Sequence, residues 1–171
     1  MYSIKKLVDV LRELKMDYKK YLEYAVEQKQ ALVHNDIDAL NKVNISIEVV
    51  SVDLQNLDRQ RVTLMETIAK EAGVEAINKV TDIKNYFPNN EYSGALEEIA
   101  AELKPIFEEV KNVNTINRGL IGTSRDYIKT TLAIATSVLN RNKKDSYKTY
   151  GSSGMVNQGS RQLRSLLNKE V

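Results

Sequence analysis

The fold is decided by residues 4–33, IKKLVDVLRELKMDYKKYLEYAVEQKQALV, which contain neither glycine nor proline. Their apolar residues recur alternately three and four positions apart, which is the spacing of one face of an α-helix. Val8 and Leu22 widen this stripe, so the helix is expected to contact more than one neighbour. We therefore predict an elongated all-α bundle. The stripe consists of Ile4, Leu7, Leu11, Leu14, Tyr18, Tyr21, Ala25 and Leu32.

The pattern breaks at His34-Asn35-Asp36, which predicts a tight turn and a second, antiparallel helix capped by Asn35 or Asp36. Gly73 is expected to end that helix in the left-handed conformation. Arg61 interrupts its stripe; a stem lying at the edge of the bundle is favoured over a buried ion pair. The second stripe consists of Leu40, Val43, Ile47, Val50, Leu54, Leu57, Arg61, Leu64 and Ile68.

Residues 74–94 are less regular and predict a connecting segment with a short helix and a turn at Tyr86-Phe87-Pro88-Asn89-Asn90. A third long helix is predicted to begin near Ser93 and to complete a three-helix bundle. Its main stripe consists of Leu96, Ile99, Leu103, Ile106, Val110, Val113, Asn117, Leu120, Ser124, Tyr127, Thr131, Ile134 and Val138.

Three features of the third helix differ from an ordinary core pattern. Pro105 lies inside it and predicts a kink or a restart, because proline removes one backbone donor. Gly119 and Gly122 predict bending or the close approach of another backbone. A second stripe makes the face broad enough for two neighbours, or for one neighbour and a partner. This stripe consists of Phe107, Asn114, Ile121, Ile128 and Ala135.

The C-terminal part of the chain has a different character. The net charge of +2 divides into +5 for residues 141–171 and −3 for residues 1–140. Glycine and serine follow the third helix and predict a flexible linker. A short amphipathic helix is then expected around Leu163, Leu166 and Leu167, too short to be stable without docking. We predict a body at 1–140 and a tail at 141–171.

The sequence contains no recognisable arrangement of catalytic residues. The sequence has no cysteine, and its one histidine, His34, lies at the predicted turn. Paired carboxylates occur at 97–98 and 108–109, but adjacent helical residues diverge, so they predict solvated faces and not a metal site. We predict no cofactor, metal, nucleotide or membrane-spanning segment. A cytoplasmic binding protein, and not an enzyme, is expected.

Two short motifs make the pattern more specific. Asn114, Asn117 and Leu120 form Asn-x-x-Asn-x-x-Leu, and Tyr150, Gly151 and Gly154 form Tyr-Gly-x-x-Gly before the terminal apolar segment. Together with the two heptad helices, this layout resembles the FlgN family of flagellar export chaperones over nearly the whole chain.

That resemblance implies a chaperone that binds the C-terminal helices of hook-associated proteins, prevents their polymerisation and brings them to the export apparatus. A matching apolar groove would receive such a helix. We expect the binding surface on the third helix and the tail, and not on the first hairpin. The partner-binding residues are predicted to be Asn114, Asn117, Leu120, Ile121, Tyr150, Gly151, Gly154, Leu163, Leu166 and Leu167.

Two other classes of function remain open at this stage. A structural coiled-coil adaptor would self-associate through the same heptad faces and be dimeric or larger without a partner. A chaperone that awaits its client can be a monomer, and a homodimer without client is also compatible with it. An RNA-binding protein would use the basic tail and show steep salt dependence. The acidic body and the lack of a recognised motif argue against nucleic acid as a partner.

Overall fold

A computed structural model describes the backbone of residues 2–146 and the side chains of residues 2–138. Within this part of the chain the regular elements are all helices, which confirms the predicted all-α class. They are α1 (Tyr2–His34), α2 (Ile37–Glu71), a 3₁₀ turn (Val80–Asp82), α3 (Ile83–Tyr86) and α4 (Ser93–Ser146). The predicted tail helix and most of the linker lie outside the described residues.

The turn between α1 and α2 is fixed by two polar residues with different tasks. Asn35 adopts a left-handed backbone conformation with a φ of 53°, and the N–H of Asp36 donates to the Ala31 carbonyl at 2.9 Å, as in a Schellman cap. The Asp36 side chain then accepts a hydrogen bond from the Ala39 N–H at 2.9 Å and caps α2. His34 is the exposed last residue of α1.

The C-terminus of α2 repeats the same type of cap with a glycine. Gly73 has a φ of 72°, and the Val74 N–H donates to the Ala69 carbonyl at 3.0 Å. The predicted left-handed cap at Gly73 is therefore confirmed. Glycine suits this position because a side chain would be strained in the left-handed region.

Side-chain contacts set the directions of the three long helices. Ser3 Oγ donates to Glu71 Oε1 at 2.5 Å, and Gln28 Nε2 donates to Asn44 Oδ1 at 2.8 Å, so α1 and α2 are antiparallel. Lys15 Nζ lies 2.6 Å from Glu102 Oε2. Further along, Tyr21 contacts Asn114 and Ala25 contacts Asn117. Because the residue numbers rise together on both helices, α1 and α4 are parallel.

The main hydrophobic core joins the beginning of α1, the second half of α2 and the beginning of α4. The connecting segment adds Ile77 and Ile83, which are both buried. Burial of one large aliphatic side chain stabilises a fold by about 1.5–3 kcal/mol, so this cluster is a major source of stability. It includes Ile4, Leu7, Val8, Leu11, Leu14, Leu54, Leu57, Met65, Ile68, Leu96, Ile99 and Leu103.

At two places in helix α4 one of the two expected alternatives is wrong, while the other, a kink at Pro105 or bending at the two glycines, stays a prediction. The helix continues through Pro105 without restarting, and because Pro105 and Ala101 are both exposed, water can hydrate the carbonyl that loses its donor. A Cβ built at Gly119 or Gly122 would have no atom within 4 Å. The expected close backbone approach at these two glycines is therefore wrong for the described part of the chain.

The predicted body boundary at residue 140 does not coincide with a helix end. Helix α4 continues past Asn140 to Ser146. By its internal contacts the chain divides between Asp126 and Tyr127 into two units. The first unit contains the bundle core, and the described part of the second is a single stretch of α4.

Candidate functional site

Helix α4 changes from a buried to an exposed element along its length. Near its beginning Leu96, Ile99 and Leu103 are core residues, whereas every side chain from Tyr127 to Val138 is exposed. We call residues 127–138 the exposed α4 segment. Its large apolar side chains are between 49% and 72% accessible. They are Tyr127, Ile128, Leu132, Ile134 and Val138.

The exposed α4 segment carries two apolar stripes side by side. Tyr127, Ile134 and Val138 follow helical spacing on one, and Ile128 and Leu132 on the other. Exposed apolar side chains in such a concentration are uncommon on a surface that has no partner. The arrangement can take up the apolar face of another helix.

Asn117 of the asparagine motif lies inside the bundle and not on this surface. Its side chain is only 2% exposed, and Nδ2 donates to the Ala25 carbonyl and to Gln28 Oε1, both at 2.8 Å. Gln28 in turn donates to Asn44. We call Gln28, Asn44 and Asn117 the polar layer, because they connect α1, α2 and α4.

Asn114 is held one turn earlier in a similar way. Its Nδ2 donates to the Tyr21 hydroxyl at 3.1 Å, with the same hydroxyl 3.4 Å from Asn114 Oδ1. The amides of both motif asparagines are thus engaged with α1. Of the other predicted partner-binding residues on α4, Leu120 is half-buried and Ile121 is exposed. Tyr150, Gly151, Gly154, Leu163, Leu166 and Leu167 lie outside the described residues.

The polar layer was only partly visible in the sequence. Gln28 occupies the stripe position between Ala25 and Leu32, and Asn117 occupies the corresponding position after Val113. Polar residues at matching core positions of two helices tend to pair and to fix register. From the sequence this signal was missed, because Asn117 was assigned to the partner-binding surface. Asn44 gave no such signal, because it lies beside its stripe.

A cleft of about 460 Å³ opens between the three long helices and the connecting segment. Tyr18 and Phe107 meet there edge to face with ring centroids 4.6 Å apart. Burial, and then the nearby Asp58 carboxylate, raise the pKa of Tyr18 above its usual value. The cleft is lined by apolar and aromatic side chains together with charged ones. They include Leu11, Leu14, Tyr18, Leu103 and Phe107, with Asp58, Arg61, Lys79, Lys104 and Glu108.

Arg61 lines this cleft at the edge of the bundle. The favoured interpretation, a stem lying at the bundle edge, is therefore confirmed. The Nε of Arg61 lies 2.8 Å from Asp58 Oδ1, one turn earlier on α2. Both side chains are partly exposed, so this is a surface pair at the edge of the bundle and not a buried one.

Among the described residues no group of three or more metal-ligating side chains occurs, and Glu97 of the paired carboxylates forms an ion pair with Lys84. None of the helices in this part of the chain combines the length and apolar character that spanning a membrane requires.

Comparison with known proteins gives one match. The family model described as FlgN protein matches residues 1–158, which is most of the chain and includes the asparagine motif and the Tyr150–Gly154 stretch. No curated protein matches the chain. No solved structure matches it.

Proposed function

The chain belongs to the FlgN family of flagellar export chaperones, and on that basis we propose that it binds the C-terminal helices of hook-associated proteins. The proposal extends to the cytoplasm as the place of action and to the export apparatus as the second partner. Binding alone, without catalysis, is what this role requires. The exposed α4 segment is the observation that carries it.

The exposed α4 segment suits a helical client for a physical reason. A subunit terminus that polymerises as a helix must present an apolar stripe, and an unpolymerised stripe needs an apolar cover. Tyr127, Ile128, Leu132 and Ile134 supply such a cover without any change in the bundle core. Leu120 and Ile121 belong to the first unit, and we propose them as partner-binding residues in their own right.

The tail is proposed to complete the surface. It carries a net charge of +5 and a short apolar segment, Leu163 to Leu167, which in this proposal closes over a client helix lying on α4. Tyr150, Gly151 and Gly154 would provide the bend between them. Asn114 and Asn117 take an indirect part in this proposal, because they hold α4 against α1.

A structural adaptor that self-associates through its heptad faces is less well supported. The stripes of α1 and α2 are occupied inside the chain, where Leu7, Leu11, Leu54 and Leu57 form the core. Exposing them to a second chain would forfeit about 1.5–3 kcal/mol for each side chain. These stripes are therefore not available for association in the folded protein.

The test is a calorimetric titration. The full chain is titrated with the C-terminal helix of a hook-associated protein from the same organism, and the heat of binding gives the affinity. Ile128→Asp is expected to weaken binding at least about tenfold, because it places a charge in an apolar contact. Val33→Asp, at a similarly exposed apolar position on α1, is the matched control and should bind normally.

The tail requires a separate variant. A chain ending at Asn140 is expected to keep its helical circular dichroism and to lose binding. Unchanged affinity in that variant refutes the role of the tail, and unchanged affinity in Ile128→Asp refutes the role of α4. If no hook-associated protein binds the unmodified chain, the proposed clients are wrong.

A further inference from the structure

The cleft of about 460 Å³ between the long helices is not used by the proposed function. Its lining comes from α1, α2, the connecting segment and α4, and all of these residues belong to the first unit. It contains no residue of the exposed α4 segment and neither Leu120 nor Ile121. Pockets that hold small molecules in proteins enclose about 300–1,000 Å³. The cleft therefore has the size of a site for one small organic ligand.

The apolar part of the lining favours an aromatic occupant. Leu11, Leu14 and Leu103 are core residues with exposures of 3%, 3% and 6%. Tyr18 and Phe107 add two rings in an edge-to-face contact. Phe107 remains 42% accessible, so part of its ring is open to solvent. A further ring can extend this pair, because aromatic rings prefer edge-to-face and offset-stacked contacts.

The charged part of the lining determines the sign of the occupant's charge. Arg61 compensates Asp58 at a distance of 2.8 Å. Lys79, Lys104 and Glu108 form no ion pair among the described residues, which leaves two ammonium groups against one carboxylate. Both lysines are exposed at the edge of the cleft. A ligand carboxylate there would gain charge-assisted hydrogen bonds and would stay in contact with water.

We propose that the cleft binds a free small aromatic carboxylate. Its ring lies among the buried leucines and beside Phe107, and its carboxylate accepts hydrogen bonds from the ammonium groups of Lys79 and Lys104. Glu108, one helical turn after Lys104, repels a second negative charge, so a monocarboxylate fits better than a dicarboxylate. This site goes beyond the proposed function and does not rest on it.

Binding in this cleft should stabilise the bundle. The lining residues belong to four parts of the chain, from Leu11 on α1 to Glu108 on α4, which folding brings together. A ligand that binds the folded state and not the unfolded state stabilises the fold by mass action, and the effect grows with its concentration. The melting temperature of the full chain should therefore rise continuously as the aromatic carboxylate is added.

The first experiment compares ligands that share one ring system and differ in charge. Naphthoate, naphthylmethanol and naphthylmethylamine are titrated into the full chain by calorimetry. Naphthoate should bind with a dissociation constant below about 1 mM. The neutral alcohol should bind roughly tenfold more weakly, because it lacks two exposed ion pairs, and the amine should bind more weakly still.

Three outcomes overturn the proposal at this stage. They are the absence of saturation by naphthoate, an amine that binds as tightly as naphthoate, and octanoate that binds as tightly as naphthoate. Methyl NMR spectra locate the ligand, since a bound ring shifts the signals of the methyl groups beside it. Leu11, Leu14 and Leu103 should shift most, and largest shifts at Leu132 would also contradict the site.

The second experiment removes the charges from the protein. Lys79→Gln and Lys104→Gln should each weaken naphthoate binding roughly threefold, and the double variant roughly tenfold, because solvent screens both ammonium groups. The affinity for naphthylmethanol should not change. Lys111→Gln is the matched control, since Lys111 is exposed on the same helix as Lys104 and does not line the cleft. Equal effects of Lys104→Gln and Lys111→Gln overturn the proposal. Circular dichroism verifies that each variant folds.

A last measurement separates this site from client binding. The Ile128→Asp variant should bind naphthoate with the affinity of the unmodified chain. The client helix should bind equally well with and without saturating naphthoate, and competition between the two ligands overturns the proposal of a separate site. Failure of every hook-associated protein to bind would contradict the proposed function and leave the naphthoate result standing.

Discussion

The two ends of the bundle are held together by different interactions. At the apolar end, Ile4 to Leu14 of α1 pack with α2 and α4 in the hydrophobic core. At the polar end, near the α1–α2 turn, the same three helices are joined by Gln28, Asn44 and Asn117 beside smaller buried side chains such as Ala25 and Val43. The two kinds of interaction have different effects. Apolar burial supplies stability, and directional hydrogen bonds fix which residues lie opposite each other.

The typical free energies of the two kinds of interaction agree with this difference. A fully buried leucine or isoleucine contributes about 1.5–3 kcal/mol, whereas a hydrogen bond contributes about 0.5–1.5 kcal/mol net of its competition with water. Asn117 Oδ1 is moreover buried without a partner among the described residues, which offsets part of that gain. The polar end should therefore open more readily than the apolar end.

The largest effect is expected from a cavity at the apolar end. Leu7 is fully buried, so Leu7→Ala should lower the free energy of unfolding by about 2–5 kcal/mol. Urea unfolding followed by circular dichroism measures this change. Met16→Ala, at an exposed position of the same helix, should change it by less than about 0.5 kcal/mol. Equal effects of the two substitutions would contradict the position of the core.

A smaller loss is expected at the polar end. Asn117→Ala removes two hydrogen bonds together with the unpartnered oxygen, so it should cost about 1–2 kcal/mol in the same assay. Asn112→Ala is the matched control, because Asn112 is exposed on the same helix. A cost for Asn117→Ala as large as that of Leu7→Ala would remove the distinction between the two ends.

Replacing Gln28 and Asn117 together tests what the polar layer contributes. The Gln28→Leu/Asn117→Leu double variant should be as stable as the unmodified chain or more so, because no buried polar group is left without its partner. Its helices should lose their defined register, which broadened amide NMR signals from residues 110–120 would reveal. Sharp signals with unchanged chemical shifts in α1 would refute a register-setting role for the polar layer.

Two glycines, one near each end, should respond in opposite directions. Gly73→Ala should destabilise the fold by about 1 kcal/mol, because its φ of 72° is unfavourable for a residue with a Cβ. Gly119→Ala should stabilise it by about 0.5–1 kcal/mol, because the helical site has open space for a methyl group. Thermal melts of the two variants provide the measurement. Destabilisation by Gly119→Ala would indicate a contact that the described residues do not contain.

The smallest effect concerns an exposed ion pair. The hydrogen bond from Lys15 lowers the pKa of Glu102 below its usual 4.5, against a weaker opposing effect of desolvation. The stabilisation is therefore present above pH 4.5 and is lost as the pH falls through the lowered pKa. Glu102→Gln should be slightly less stable than the unmodified chain at neutral pH and equal to it at about pH 2. A difference that grows on acidification would contradict the sign.

Much of the fold followed from the sequence because its signals are local. Stripe spacing placed the three long helices, the Asn35-Asp36 break placed the turn, and Gly73 marked the end of α2. Pro105 was harder to interpret, since its effect depends on whether the carbonyl of Ala101 faces water. The packed structure shows that Ala101 and Pro105 are both exposed.

The candidate site was less predictable because exposure is a tertiary property. The spacing of Tyr127, Ile134 and Val138 continues that of Leu96 and Ile99, yet the first three are exposed and the last two are buried. A stripe alone cannot reveal where its partner helix ends. Asn114 and Asn117 were expected to face a partner, and the structure instead directs their amides toward α1.

The parallel pairing of α1 and α4 determines the order in which the bundle assembles. Gln28 and Asn44 are separated by 16 residues, whereas Asn117 and Ala25 are separated by 92. Closing the longer loop costs about 1.5 kcal/mol more in chain entropy. The α1–α2 hairpin is therefore expected to form first, both on the ribosome and in refolding, with α4 docking onto it afterwards. Asn117 then meets a Gln28–Asn44 pair that is already in place, so docking of α4 in a shifted register would leave polar groups unmatched and would be reversed.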